Sequence, residues 1–283
     1  MEDFNSKKHF FIMKSIHVEL LDYSFELVDC PKRVVSLVSS ATEAMDKMGL
    51  IDRVVGVSEY CPRYVSGVDG LVVGKYVNCD VEALQALKPD VVLITSGVQL
   101  HLGKRLAKLG LPVYVLSLPQ SFFGMLENQV VLGGLLGELK RARALSDQMM
   151  LRAQALRNAN SGKKPKVYVE LWLGRHMRAV GGMSFARDVV EMAGGEMVFG
   201  EDSKSYFKPD FDEVRERDPD VFLFFYEPEY EVDPHALVRD RGWNEQIPIV
   251  VSTVKIGQNM IHDGPSLLDS AEWLAGELNR ALL

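Results

Sequence analysis

Hydrophobic positions along this chain follow two rhythms. Short continuous apolar runs suit strands buried on both faces: RVVSLV (33–38), RVVGVS (53–58), LVVG (71–74), DVVLITS (90–96) and VYVLSL (113–118). Between them, SSATEAMDKMG, VEALQALK and HLGKRLAKLG carry helical spacing. Ser39 or Ser40 offers a cap for the first of these helices, Gly49 ends it, and Gly110 closes the third. Ahead of the series, IHVELLDYSFELV (16–28) predicts a β-hairpin turning near Asp22.

The rhythm changes over 121–160, where no strand signal occurs. Leu135, Leu139, Ala142, Leu145, Met149, Ala153 and Leu156 recur at three or four. This spacing predicts a helix to about 136, a break near Gly137, and a long helix over about 138–159. The βα pattern then restarts with KVYVELW (166–172). MRAVGG (177–182) leads into a helix capped by Ser184 and closed by Gly194 and Gly195. FDEVRERD predicts a helix, DVFLFFY (220–226) a strand, 234–241 a helical stretch, IPIVVST (247–253) a strand, and SLLDSAEWLAGELNRALL a C-terminal helix. Strands alternating with helices at short spacing indicate parallel, helix-covered sheets.

One motif occurs twice. QALKPDVVLI (85–94) and RERDPDVFLF (215–224) both read as a helix end, a Pro-Asp turn and a buried strand. Glu82 and Asp212 stand at the same offset before the two prolines. The expected fold class is therefore α/β, with two Rossmann-like lobes of parallel sheet joined by one long helix. The N-terminal lobe takes 16–120, the helical linker 121–160 and the C-terminal lobe 161–283. Ligands of open α/β sheets bind beyond the carboxyl ends of the strands, so two facing lobes enclose a cleft.

Composition narrows the function classes. The chain has 283 residues and a net charge of −7, without Lys/Arg runs. That disfavours nucleic acid and anionic membranes as partners. No apolar stretch is long enough to span a bilayer. The N-terminal MEDFNSKKHFFIMK has only HFFIM as an apolar run, shorter than a signal peptide needs. On that reading the chain as given is cytoplasmic, or extracytoplasmic if a leader is missing. Three cysteines without CxxC fit a reducing setting, and the six scattered histidines show no pair at metal-ligand spacing. No resident cofactor or protein-only metal site is expected, and a monomer is.

The strand-end loops supply the candidate contacts. In the first lobe these are Ser39, Ser40, Glu59, Tyr60, Lys75, Tyr76, Asn78 and Ser96; in the second, Trp172, Arg175, Tyr206, Phe207 and Tyr226. Aromatic faces suit a large flat ligand, with hydroxyl and amide groups around its rim. The competing reading packs half of these aromatics in the core, Phe207 first among them. A serine hydrolase is a remote alternative. GGMSFA (181–186) misses the nucleophile-elbow pattern by one residue, and His262-Asp263 comes in the wrong order for a triad. Ser184 as a helix cap explains the same residues.

RVVSLVSSATEAMDKMGLIDRVVGVSEYCP resembles the opening of the helical-backbone class (class III) of substrate-binding proteins, which serve ABC importers of vitamin B12, haem and ferric siderophores. FELVDCPKRVVSL, GKYVNCDVEALQALKPDVVL and SFARDVVEMAGGEMVFG fit the same family, and GKYVN followed by Glu82 looks most like its cobalamin-binding branch. The resemblance covers about 16–283. It implies a bound metal chelate, most closely a cobalamin-like corrinoid, with a ferric siderophore or haem, or a cytoplasmic corrinoid carrier without a transporter, as alternatives. It implies no enzymatic activity. It places Tyr76 and Tyr206 where B12 binders carry aromatic cleft residues. It also matches Glu82 and Asp212 to the acids that dock the membrane subunit of an ABC transporter; Asp212 stands where the family commonly has the longer Glu. Both acids would equally favour helix N-termini through the dipole.

Overall fold

The computed structural model describes residues 13–162, 164–174, 176–230 and 232–282. A hairpin opens it. Strands β1 (Met13–Val18) and β2 (Tyr23–Val28) pair antiparallel around Asp22, which takes the left-handed conformation at φ 47°. Leu27 and Phe25 of β2 point into the first core. The first sheet then forms from β3 (Val34–Ser36), β4 (Val54–Ser58), β5 (Val72–Gly74), β6 (Val91–Thr95) and β7 (Val113–Leu116). All its pairs are parallel, in the order β5-β4-β3-β6-β7. Helices α1 (Ser39–Lys47), α2 (Val81–Ala86) and α3 (Leu100–Lys108) connect the strands. Strand order reverses at β3, with β4 and β5 added on one side and β6 and β7 on the other, so the loops after β3 and β6 diverge and leave a crevice.

Two helices follow: α4 (Phe122–Leu135), capped by the Ser121 hydroxyl, and α5 (Leu139–Ala159). The break between them is Gly137, at φ +72°; a Cβ there would lie 2.6 Å from the Asp29 carbonyl oxygen. The pair forms an antiparallel hairpin that belongs to both cores. Phe122, Met125 and Leu126 at the start of α4, with Met149 and Ala153 of α5, pack in the second core. Leu132 and Leu135 at the end of α4, with Ala142 of α5, pack in the first. The junction is therefore a two-helix strut: both expected helices are present, and both bridge the lobes, where only the longer one was expected to join them. Helix α5 alone spans about 31 Å at 1.5 Å per residue.

The second sheet comprises β8 (Lys166–Leu171), β9 (Arg178–Val180), β10 (Glu196–Met197), β11 (Tyr206–Phe207), β12 (Val221–Phe225) and β13 (Ile249–Ser252). Its order is β11-β9-β8-β12-β13, with β10 pairing the start of β8. Helices α6 (Phe185–Met192), α7 (Phe211–Glu216), α8 (Pro234–Asp240) and α9 (Leu267–Ala281) cover it. Strands β10, β8, β12 and β13 pair parallel, as expected, and two short strands add antiparallel pairs on one side. Strand β9 runs antiparallel to β8, and β11 antiparallel to β9. These two strands have two or three residues each, too few for an alternating pattern to register.

The doubled motif is one device used in both lobes. Asp80 and Asp210 cap α2 and α7. Lys88 and Asp218 take left-handed φ values of 45° and 52° just before the prolines. The Asp90 carboxylate then accepts from the Lys32 and Arg33 amides, and the Asp220 carboxylate from the Lys166 amide. Each Asp thereby registers its own strand against the neighbouring strand's start, β3 in one lobe and β8 in the other. A second correction concerns α1: its N-cap is Val38, with no side-chain cap bond, so Ser39 and Ser40 are its first helical residues.

The α4–α5 crossing is close because Gly133 faces Ala142, and a Cβ at Gly133 would overlap the Ala142 Cβ. Gly133→Ala should therefore cost about 1–3 kcal/mol of stability, as other overpacked contacts do, read as a lower urea midpoint at unchanged slope.

Candidate ligand-binding cleft

The carboxyl ends of both sheets face a chamber of about 510 Å³. Tyr60, Tyr64 and Tyr76 line it from the first lobe; Trp172, Phe185 and Tyr206 line it from the second. The Tyr60 and Tyr76 rings meet edge to face at 6.0 Å, and the Trp172 and Tyr206 rings meet at 6.4 Å. Tyr76 owes its position to Gln99, which is fully buried. The Gln99 amide donates to the Tyr76 and Leu37 carbonyls at 2.6 and 3.1 Å and accepts from the Thr95 amide at 2.7 Å. One side chain thus ties together the loops after β3, β5 and β6. Burial of its phenol end pushes the Tyr76 hydroxyl up to about 12, with smaller contributions from Asp263 and Tyr60. The Tyr206 hydroxyl is also raised, first by burial, and it bonds the Ser184 hydroxyl at 3.2 Å.

The floor of the chamber is a knot between lobes. Glu43 of α1 is fully buried, and its partners come from 262–266 of the other lobe. Its carboxylate accepts from His262 Nε2 at 2.8 Å, from the Ser266 amide at 2.9 Å and from the Ser266 hydroxyl at 3.1 Å. The other His262 nitrogen faces the Ser39 hydroxyl at 3.5 Å. The Tyr64 ring stacks flat on the imidazole, centroids 3.4 Å apart. Asn259 donates to the Tyr64 hydroxyl at 2.6 Å, and burial pushes that phenol up to about 12. Gly264 is obligatory here, because a Cβ would overlap both Glu43 and His262.

Of the residues singled out in the sequence, Ser39, Tyr60, Tyr76, Ser96, Trp172 and Tyr206 line the chamber. Ser40 lines a narrow cavity beside it. Glu59, Lys75 and Asn78 are exposed and lie outside the chamber wall; Asn78 instead accepts from Arg105 at 3.0 Å. Phe207 packs edge-on against Phe199 at 5.2 Å, as its core reading expected. Tyr226 lines a neighbouring cavity of about 300 Å³ that shares Trp172 and Glu227 with the chamber. Arg175 lies outside the described residues. Glu82 and Asp212 are exposed in the first turns of α2 and α7, and Asp212 pairs with Arg215 at 2.7 Å.

Sequence reasoning missed Arg63, Tyr64, Asn259 and the floor role of His262 and Asp263. Their signal was present: NMIHDGPS puts four polar side chains into a short loop ahead of an apolar helix. His262 and Asp263 were weighed only as parts of a triad, whereas His262 serves Glu43, and Ser184 caps α6 by accepting from the Ala186 amide at 3.3 Å.

Two α/β lobes, a helical strut and an aromatic chamber between strand ends define a bilobal ligand-binding protein. The chain belongs to the periplasmic binding protein family, whose sequence model matches residues 34–248. A cobalamin-binding protein from Halobacterium salinarum is 30% identical over 200 residues, covering 68% of this chain and 53% of its own length. The chain thus spans about half the length of the curated relatives it matches first. Two solved structures share the fold. A periplasmic heme-binding protein from Roseiflexus sp. RS-1 superposes with TM-score 0.74 at 19% identity, over 89% of this chain and 99% of that one. The periplasmic vitamin B12-binding protein of Vibrio cholerae superposes with TM-score 0.67 at 18% identity, over 89% and 98%. Membership of a family of periplasmic binding proteins overturns the expectation of a cytoplasmic chain. That expectation rested on the N-terminal stretch, of which 1–12 lie outside the described residues. Among the described residues, no helix is long and apolar enough to cross a membrane.

Removing one member of a buried, hydrogen-bonded charge cluster strands the others, at a typical cost of about 3–5 kcal/mol. Glu43→Ala should therefore lose stability on that scale in urea unfolding. Substitution of an exposed acid such as Glu59 should change it by less than about 0.5 kcal/mol.

Proposed function

We propose that the protein captures a metal chelate, most closely a cobalamin-like corrinoid, in the interlobe chamber and presents it to an ABC importer. The observation that carries this reading is the pair of aromatic clusters, Tyr60 with Tyr76 and Trp172 with Tyr206, facing one chamber from opposite lobes. Rings on both walls suit a broad, flat macrocycle, whose apolar faces they cover while its rim meets hydroxyls and backbone groups. The named relative that binds cobalamin supports the same ligand class. The function is binding without catalysis: the Ser184 hydroxyl is engaged by a helix cap and by Tyr206.

Calorimetry with dicyanocobinamide and with cyanocobalamin should give 1:1 binding. Binding of hemin or a ferric siderophore, with no heat from either corrinoid, would reassign the ligand. Tyr76→Ala and Tyr206→Ala should each weaken corrinoid binding tenfold or more, because each removes a stacking face worth about 0.5–1.5 kcal/mol beyond its buried area. Circular dichroism of both variants should match the parent.

The partner half of the reading rests on Glu82 and Asp212, exposed acids at equivalent places on the two lobes. As docking charges they would steer the encounter with a basic membrane subunit. Arg215 already holds Asp212, so that site acts with less free charge than Glu82. The double Glu82→Lys, Asp212→Lys variant should keep full corrinoid affinity and lose uptake in a reconstituted transporter. Normal uptake would reduce both acids to helix-dipole partners.

A further inference from the structure

The chamber carries a carboxylate that stacking a macrocycle does not require. Asp263, in the loop ahead of α9, lines both the chamber and the narrow cavity beside α1. Its charge adds to the raised pKa of Tyr76 on one wall and of Tyr206 on the other. The Ser40 hydroxyl donates to it. The charged side chains on the described chamber wall are Arg63, Glu227, His262 and Asp263. Both basic side chains are already engaged. Arg63 lies over the Tyr60 ring at 4.7 Å and reaches Glu229 at 3.6 Å, and His262 serves Glu43 at 2.8 Å. The acids Asp263 and Glu227 therefore set the polarity that a ligand meets. An ionised carboxylate accepts hydrogen bonds and donates none. It is matched by N–H groups and repels another carboxylate, most strongly where water is excluded.

We propose that Asp263 is a specificity-determining acceptor, selecting metal chelates whose rim carries carboxamide N–H groups and rejecting those whose rim carries carboxylates. The inference rests on the chelate reading of the same chamber and narrows it to an amide-rimmed ligand. A purely structural Asp263 would serve only to anchor Ser40 at the start of α1. Burial raises the Asp263 pKa, with His262 and Ser40 acting against that rise. Half-buried in the chamber wall, the carboxylate can accept further donors beside Ser40, which ligand amides supply.

Two corrinoids make a matched pair. Dicyanocobinamide and dicyanocobyrinic acid share the ring and metal, and differ in carrying carboxamides or carboxylates around the rim. Absorbance titration at neutral pH should show the native protein preferring dicyanocobinamide at least tenfold. Asp263→Asn keeps the size and the Ser40 contact and removes the charge. It should cut that preference tenfold or more, mostly through tighter binding of the acid. Asp263→Ser serves the same end if the first variant does not fold. Equal affinities in the native protein, or an unchanged ratio in the variant, would overturn the proposal while leaving corrinoid capture standing. A lowered melting temperature with an unchanged ratio would assign Asp263 to anchoring Ser40. Failure of both corrinoids to bind, with hemin binding in their place, would overturn the corrinoid reading as well, since hemin carries carboxylates past an intact Asp263.

Discussion

The buried carboxylate of Glu43 is the constraint on which the geometry of the cleft depends. A carboxylate taken out of water costs several kcal/mol unless its lone pairs are filled at good geometry. Here they are filled across the lobe boundary, by His262 and by the amide and hydroxyl of Ser266. Hydrogen bonds tolerate only a few tenths of an ångström before weakening. The two lobes are thus registered against each other to that tolerance at the chamber floor. Gly264 is the local consequence, since only a residue without Cβ fits between the paired groups. Tyr64 is another: its ring covers the imidazole and excludes the water that would otherwise compete for Glu43.

The strut reinforces this registration. Helices α4 and α5 contribute to both cores, so neither lobe moves without disturbing packing at Met149 or Leu132. Polar ties fix the ends. Arg53 pairs with Glu138 at the start of α5, and Arg141 donates to the Met48 and Gly49 carbonyls beyond α1. At the other end the Phe122 amide donates to Asp188 of α6 at 2.6 Å. A site pre-organised in this way spends little binding free energy on closing. Aromatic walls from separate lobes then act as one fixed slot, and ligand affinity follows from how well a disc fills it.

Much of the fold was legible because burial writes long signals. The continuous apolar runs became β3, β4, β6, β8 and β12, and the three-four spacing through Leu139, Ala142 and Met149 became α5. The two-residue strands β10 and β11 left no such trace, and neither did the sharing of both cores by α4. The chamber was legible where aromatics sit at strand ends, as with Tyr60, Tyr76, Trp172 and Tyr206. It was opaque where function depends on a partner distant in sequence. Nothing near Glu43 announces His262, and nothing near Tyr64 announces Asn259. Lys75 and Asn78 were misplaced for a related reason: the loop after β5 is turned by the Lys75–Asn78 backbone bond and held at Tyr76 by Gln99, so only the tyrosine faces inward.

Trp172 shows how local strain is tied to this arrangement. It has φ +52°, a left-handed conformation that costs a bulky residue about 1–3 kcal/mol. The chain enforces it from both sides: the Leu173 amide donates to the Phe225 carbonyl at 3.1 Å, and the His176 amide donates back to Trp172 at 3.1 Å. Glycine would meet the backbone requirement without strain, as Gly174 does two residues on at φ +78°. Glycine would also remove the indole that meets Tyr206 and separates the chamber from the neighbouring cavity. The turn redirects the side chain at the end of β8, where continued strand geometry would point it elsewhere. The strain is therefore the cost of setting an aromatic wall at the one place where sheet, chamber and side cavity meet.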